Sequence, residues 1–236
     1  MNQRVVVTGA NRGIGLAIVR ELLDRGDLVA AACRSPQEAG ELSRIRPPRP
    51  DRLAVMRLDV DSDESAAAAA RAVAERLDGL DILVNNAGIF GGEEASLSEL
   101  RIQDLRDTYE TNVIGPVRVT RALLPLLRRG RNPRVVNISS ESGMLSRRLE
   151  EPRHYAYGAS KAALNFVTRA MASDLKPHGI AVISLSPGWV RTDMGGPEAT
   201  LSPEESARGI VKVVHGLTIR DTGRGFRYDG SQNEAW

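Results

Sequence analysis

Tyr157 and Lys161 stand four residues apart in the stretch Tyr157-Gly158-Ala159-Ser160-Lys161. On a helix that spacing stacks the two side chains on one face. An ammonium beside a phenol favours the phenolate, so Lys161 is expected to lower the Tyr157 pKa from its ordinary ~10. A tyrosine tuned in this way gives or takes a proton near neutral pH. The pair by itself is also compatible with an amphipathic helix and a solvated lysine. Its meaning therefore depends on what the rest of the chain brings near it.

The order of apolar runs and turn signals predicts the elements that do the positioning. Val5-Val6-Val7 leads into Thr8-Gly9-Ala10-Asn11-Arg12-Gly13-Ile14-Gly15. This reads as a buried strand, a glycine turn and a helix through Arg25, stopped by Gly26. Further strands are predicted over 28–32, 53–58, 80–84, 134–138 and 180–185, with a short one near 225–228. A short helix is predicted near 37–44. An alanine-rich helix is predicted over 65–77, with N-cap candidates in Asp61-Ser62-Asp63-Glu64 and with Asp61 and Glu64 at capping-box spacing. A long helical region covers 98–127, broken near Gly115-Pro116. The helix that carries Tyr157 and Lys161 stops at Lys176-Pro177-His178-Gly179. Ser202-Pro203-Glu204-Glu205 opens a last helix to about His215. Strands alternating with helices predict an α/β fold, a parallel sheet covered on both faces, with its site beyond the carboxyl ends of the strands.

The totals fit that fold. The chain has 236 residues, 42% hydrophobic and 26% charged, enough for one large α/β domain with a full core. A net charge of +2 gives no reason to expect nucleic acid as a partner. The basic clusters at 44–49 and 128–131 carry Pro or Gly and read as solvated loops. Cys33 is the only cysteine, so no internal disulfide forms, which suits a reducing cytosol and a cytoplasmic protein. No signal peptide and no membrane span are expected. His154, His178 and His215 are scattered, and no metal site is expected.

With the motifs in place, the chain resembles the classical short-chain dehydrogenases/reductases, and among them the carbonyl-reductase-like and C-factor-like members. The resemblance covers nearly the whole chain. It rests on Thr8-Gly9-x-x-x-Gly13-x-Gly15, Asn85-Asn86-Ala87-Gly88, Asn112, the set Ser140/Tyr157/Lys161, and Pro187-Gly188 followed by Thr192. It implies a doubly wound Rossmann fold with a mainly parallel seven-stranded sheet, a single NAD(P)-binding domain over 1–236. Gly9, Gly13 and Gly15 let the backbone turn tightly and approach a pyrophosphate at a helix N-terminus, with Asn11, Arg12 and Ile14 in the same turn. By resemblance Asp59 and the Val60 main chain hold the adenine, although an Asp at Asp59 also suits an ordinary approach to a helix. Asn86, Ala87 and Gly88 border the cofactor ribose, and Asn85 stabilises the sheet. Thr192 and the Val190 main chain meet the nicotinamide carboxamide, while Pro187 and Gly188 turn the chain.

The implied activity is reversible hydride transfer between a nicotinamide and a small-molecule carbonyl or alcohol. Ser140 bonds the carbonyl oxygen, with Ser139 as the structural alternative. Tyr157 is the general acid/base. Lys161 also bonds the nicotinamide ribose, and Asn112 bends its helix and orders a water that links to the lysine. Tyr155 lacks a lysine four residues on and is expected to be a pocket or packing residue. The cofactor is expected to be NADP(H). An NAD site usually has an acid at the end of the second strand, where this chain has Cys33-Arg34 and no acid until Glu38. Arg34 and Arg12 are expected to meet the extra phosphate from two sides.

The Tyr157 helix carries more apolar surface than one buried stripe requires, and by resemblance to the family, in which this helix and the long one before it pair across a two-fold axis, a homodimer or homotetramer is expected, the alternative being deep burial within one subunit. The chain departs from the family in the segment 141–154, which is long and charged through Arg147, Arg148, Glu150, Glu151, Arg153 and His154. It is expected to be a mobile loop that orders on ligand binding. The rival reading is a signalling or redox-sensing protein that binds the dinucleotide with little turnover. An epimerase or dehydratase of the extended type would need a larger C-terminal substrate domain than the chain after the sixth strand provides.

Overall fold

Short runs rich in Val, Ile, Leu and Ala have too little polar alternation to lie on a one-sided sheet, and they form strands buried on both faces. In the computed structural model these are β1 (Arg4–Thr8), β2 (Leu28–Cys33), β3 (Leu53–Arg57), β4 (Ile82–Asn85), β5 (Arg134–Ile138), β6 (Ala181–Ser186) and β7 (Gly225–Arg227). The structure describes residues 2–47, 49–92, 96–146 and 154–232. Of the stretch expected to be a mobile loop, residues 147–153 lie outside the described residues, so Arg147, Arg148, Glu150, Glu151 and Arg153 receive no structural account.

The strand order is β3-β2-β1-β4-β5-β6-β7 in one seven-stranded sheet, and every pairing is parallel. The chain winds outward from β1 to one edge, then returns beside β1 and winds to the other. The reversal leaves a crevice beyond the carboxyl ends of β1 and β4, where ligands of such sheets bind.

Alternate residues of each strand feed two cores. On one face Val5, Val7, Val29, Ala31, Ile82, Val84 and Val136 pack under α1 (Gly13–Asp24) and α7 (Pro203–Gly216). On the other face Val6, Ala30, Leu83, Val135 and Val182 pack under α3 (Asp63–Ala74), α5 (Gly115–Leu127) and α6 (Tyr155–Leu175). The short α2 (Gly40–Ser43) adds Leu42 to the first core. Cys33 is buried in β2, where burial raises its thiol pKa.

The predicted break near Gly115-Pro116 has a definite form. α4 (Ile102–Tyr109) passes into a π-helical turn, Glu110–Ile114, before α5 begins. Pro116 has no N–H to give the carbonyl four residues back, and its ring crowds that carbonyl, which belongs to Asn112. The turn around Asn112 widens in response, as helices do at such interruptions.

The cap of α3 comes from the expected stretch Asp61-Ser62-Asp63-Glu64, at Ser62 rather than Asp61. The N-cap is Ser62, whose Oγ accepts from Ser65 N at 3.1 Å. Asp61 instead accepts from Thr111 Oγ1 at 2.9 Å and so tethers the β3–α3 turn to the π turn. Among the described residues no helix is long and apolar enough to cross a membrane, and no group of His, Cys, Asp and Glu has the makings of a metal site.

Candidate active site

The glycine turn after β1 and the loop after β4 are bolted together. Thr8 Oγ1 accepts from Asn86 N and Ala87 N, each at 3.0 Å. In return, Asn86 Nδ2 donates to Thr8 O at 2.9 Å and Gly9 O at 3.1 Å. Gly9 has φ +62, and a Cβ there would lie 2.8 Å from the Ala87 Cα. A Cβ on Gly15 would overlap the Gly9 carbonyl oxygen, so the start of α1 has to be bare to sit this close to the turn. The Asn86 side chain is thus committed to the loop, and only its backbone and Ala87 and Gly88 remain free to border a ligand. Asn85 behaves as expected of a sheet residue, donating to Asn137 Oδ1 at 2.9 Å and Thr120 Oγ1 at 3.2 Å.

The N-terminus of α1 is open. Its N-cap is Arg12, which makes no side-chain cap, and no acidic residue lies in the first turn. Free N–H groups at the end of a twelve-residue helix form a ready anion site. The cradle is also narrow. A Cβ on Gly13, where φ is +53, would lie 3.2 Å from Thr192 Cγ2, and one on Gly88 would lie 3.1 Å from Asn112 Oδ1 and 3.7 Å from Lys161 Nζ. These bare positions, with an uncapped helix end, fit a dinucleotide threaded from the turn toward Lys161. Asn11 and Ile14 sit in the same turn.

The hydroxyl comes from the turn after β5, and the phenol and ammonium both come from α6. Lys161 is buried in α6, and its Nζ donates to the carbonyl of Ile138, the last residue of β5, at 2.9 Å. Ser139 and Ser140 follow directly. Ser139 Oγ is turned inward and donates to Asn165 Oδ1 at 2.6 Å, an atom shared with Ser184 Oγ at 2.9 Å. Ser140 faces the site, its Oγ accepting from Ser142 N at 3.1 Å and forming a hydrogen bond with Tyr157. The turn Glu141–Gly143 then lies against α6, where a Cβ on Gly143 would fall 2.5 Å from the Lys161 carbonyl carbon. Asn112, 1% exposed, spans the remaining gap. Its Oδ1 accepts from Ile89 N and its Nδ2 donates to Ile89 O, both at 2.8 Å, and Nδ2 also reaches Ser160 Oγ at 3.0 Å.

The electrostatics correct one expectation. Burial pushes the Tyr157 phenol above its ordinary value, and the hydrogen bond with Ser140 only partly offsets this. Lys161 does not bring it down, because its ammonium is turned to Ile138 and lies 5.5 Å from the Tyr157 ring centroid. Burial also depresses Lys161 itself, to about 8.

Of the two arginines expected to converge on one phosphate, Arg12 pairs with an acid and Arg34 is exposed. Arg12 Nη1 donates to Asp193 Oδ2 at 2.7 Å, with both side chains exposed. Arg34 acts on Asp61, whose carboxyl is raised by burial and by nearby Asp59 and Glu110, while the Thr111 hydrogen bond and the Arg34 charge pull it back. Asp59 Oδ1 closes its own turn by accepting from Asp61 N at 3.2 Å, and the Val60 carbonyl accepts from Arg118 Nη1 at 2.6 Å. Beyond β6, Pro187 O accepts from Ser206 Oγ at 2.7 Å, Gly188 turns at φ +79, and Val190 pairs with Leu201. Thr192 Oγ1 accepts from Gly195 N at 3.1 Å.

Residues 3–201 match the family described as short chain dehydrogenase. The chain belongs to the short-chain dehydrogenase family. Among curated proteins the chain is 44% identical to the C-signal of Myxococcus xanthus over 153 residues, covering 65% of this chain and 91% of that protein. It is 36% identical to an uncharacterized oxidoreductase of Schizosaccharomyces pombe, covering 98% and 97% of the two chains. Among solved structures it is similar to the NADPH-bound carbonyl reductase from chicken fatty liver, with a TM-score of 0.90, 36% identity, and 100% and 99% coverage.

Several neighbours of the site are not evident from spacing alone. Ser160 stands next to Lys161, and its Oγ donates to Tyr157 O at 2.7 Å. Asn165, one helical turn beyond Lys161, holds Ser139. Phe90 packs on Tyr157 at 4.9 Å and on His154 at 4.6 Å between ring centroids. The apolar run after Asn85-Asn86-Ala87-Gly88 was the one available signal for Phe90.

The depressed Lys161 value carries a stability consequence. Below pH about 8 the lysine is charged in both folded and unfolded chains, and burying that charge opposes folding. Between about 8 and the unfolded value of ~10.4 the folded lysine is already neutral, so stability rises with pH. Lys161→Met should therefore melt roughly 2–8 °C higher than the parent at pH 7, with the advantage shrinking by pH 10. Thermal melts at the two pH values check this, and an equal or lower melting point at pH 7 contradicts it.

Proposed function

We propose that this dehydrogenase is an NADP(H)-dependent oxidoreductase that interconverts a carbonyl and an alcohol, with Tyr157 as general acid/base. The observation that carries the reading is the meeting of Ser140, Tyr157, Lys161 and Asn112 beside an uncapped helix end. When bound, the nicotinamide supplies or accepts the hydride. In the reducing direction Ser140 and Tyr157 both hydrogen-bond the carbonyl oxygen, where negative charge develops. Tyr157 then gives that oxygen its proton. The raised phenol keeps that proton in place across the neutral range, which suits a donor. Lys161 holds the ribose, and the Ser140 hydrogen bond is what favours the phenolate left behind. Asn112 keeps the π turn against Ile89 and so keeps Gly88 clear for the cofactor.

Gly9, Gly13 and Gly15 with the α1 N–H groups take the pyrophosphate. Asp59 and Val60 take the adenine, Asn86, Ala87 and Gly88 border the ribose, and Val190 and Thr192 meet the carboxamide beyond the Pro187-Gly188 turn. Arg34 and Arg12 take the extra phosphate, Arg12 in place of its partner Asp193. NADPH bound to the chicken carbonyl reductase supports this choice of cofactor.

A second reading rests on the 44% identity to C-signal, a name that denotes a signal rather than an enzyme. Under it the dinucleotide is bound without appreciable turnover. Exposed Ile102, Tyr109, Ile114, Val117 and Phe166 lie on α4, the π turn, α5 and α6. Such a patch supports pairing of two copies across these helices.

Three outcomes are expected. Tyr157→Phe should lower turnover of a good aldehyde or ketone by ~10²–10⁴, the loss typical of a missing general acid, while NADPH binding persists. Near-parental rates would overturn the assignment, and a parent that turns over no carbonyl in such a panel would favour the signalling reading. Arg34→Ala should raise the Michaelis constant for NADPH roughly tenfold, as loss of one charge-assisted hydrogen bond does, and that for NADH much less. Equal effects on both would refute the NADP preference. Light scattering at micromolar concentration should give a dimer or tetramer, and a monomer alone would sink the pairing.

A further inference from the structure

We infer that Asn165 is a positioning residue for the proposed reaction: it holds the turn that carries Ser140 against α6 and so aims the Ser140 hydroxyl at the carbonyl oxygen. The inference rests on the reading of Ser140 as a partner of that oxygen and adds the residue through which its place is set.

The face of α6 that carries Tyr157 and Lys161 continues, at helical spacing, to Asn165 and Thr168. These side chains grip the end of β5 one residue at a time. Thr168 Oγ1 accepts from Asn137 Nδ2 at 2.8 Å, Lys161 Nζ donates to Ile138 O at 2.9 Å, and Asn165 Oδ1 accepts from Ser139 Oγ at 2.6 Å. Ser140 is the next residue. Asn165 therefore holds the residue to which the proposed reacting hydroxyl is joined.

The same amide borders the far side of the turn. Its Nδ2 lies 3.5 Å from Gly143 O, at the outer limit of a hydrogen bond. Its Oδ1 takes a second bond, from Ser184 Oγ on β6 at 2.9 Å. Asn165 thus touches both ends of the stretch 139–143, within which Ser140 caps the short turn Glu141–Gly143.

Burial shows what this arrangement does. Asn165, Ser139 and Ser184 are all buried, on a face of the sheet that otherwise presents Leu83, Val135 and Val182. Hydrocarbon would pack there without the cost of desolvating polar groups. A matched polar cluster does something hydrocarbon does not: it allows one relative placement of the elements it joins, because a shift leaves its members buried and unpaired. The elements joined here are the strand end that leads to Ser140 and the helix that presents Tyr157.

The test is a double-mutant cycle read with NADPH and the aldehyde or ketone that the parent reduces fastest. Ser139→Ala deletes the bond to the turn and leaves Asn165 in place, while Asn165→Leu deletes every bond at similar volume. Each should lower kcat by about 10- to 100-fold, the loss that a reacting group misplaced by about 1 Å brings. The Michaelis constant for NADPH should stay as in the parent. Both changes are then repeated on Ser140→Ala. With that hydroxyl gone its aim no longer matters, so neither change should lower the rate of Ser140→Ala further. A general loss of packing would instead slow Ser140→Ala by the same factor as the parent. That result, or an unchanged kcat in Ser139→Ala, overturns the role of Asn165 and leaves the carbonyl-reduction reading standing. If Asn165→Leu does not fold, Ser139→Ala, which removes a single oxygen, decides alone. If Ser140→Ala by itself costs nothing, the reading of Ser140 and the role of Asn165 fall together.

Discussion

The reciprocal lock between Thr8 and Asn86 is the constraint on which the candidate site of this chain depends. A parallel sheet that reverses its winding leaves the ends of β1 and β4 side by side with no hydrogen bonds owed to each other past the last paired residue. The Thr8 hydroxyl and the Asn86 amide supply those bonds, and Gly9 and Gly15 allow the backbones to come close enough to make them. The crevice thus has a fixed floor. The α1 helix end, Gly88 and the approach to Lys161 all take their positions from it.

Above that floor the proposed chemistry is arranged at the expense of stability. Lys161 is buried beside the Ile138 carbonyl, and that burial depresses its pKa to about 8. A residue so placed is poor for folding and suited to a site. The π turn shows the same balance. Pro116 removes a helical hydrogen bond, and Asn112 spends its side chain on Ile89 and Ser160 rather than solvent. Both features bring polar groups into a space that packing alone would have filled with hydrocarbon.

The strand and helix order could be read from the sequence because apolar runs of four to six residues between glycine turns have few alternatives to a buried parallel strand. The glycines of the turn and the Tyr157–Lys161 face were equally plain, since their meaning lies in backbone freedom and helical spacing. What could not be read was direction. Ser139 and Ser140 are adjacent hydroxyls, and only Asn165 on α6, facing β5, shows that the first is taken up in the core. Asp61 had the spacing of a cap, but Thr111, fifty residues away, competes for it. The lowered phenol expected from Lys161 assumed an exposed helix face, whereas both groups are enclosed and desolvation dominates. Arg12 looked free because its acid, Asp193, arrives from a distant loop.

Gly143 has a wider consequence. With no room for a Cβ between it and the Lys161 backbone, the turn that carries Ser140 and the helix that carries Tyr157 move as one piece. The distances among hydroxyl, phenol and ammonium are therefore insulated from whatever chain is strung between residue 143 and residue 154. Natural variation is free to lengthen, shorten or recharge that span and so explore new compounds, while the spacing of the reacting groups is inherited unchanged.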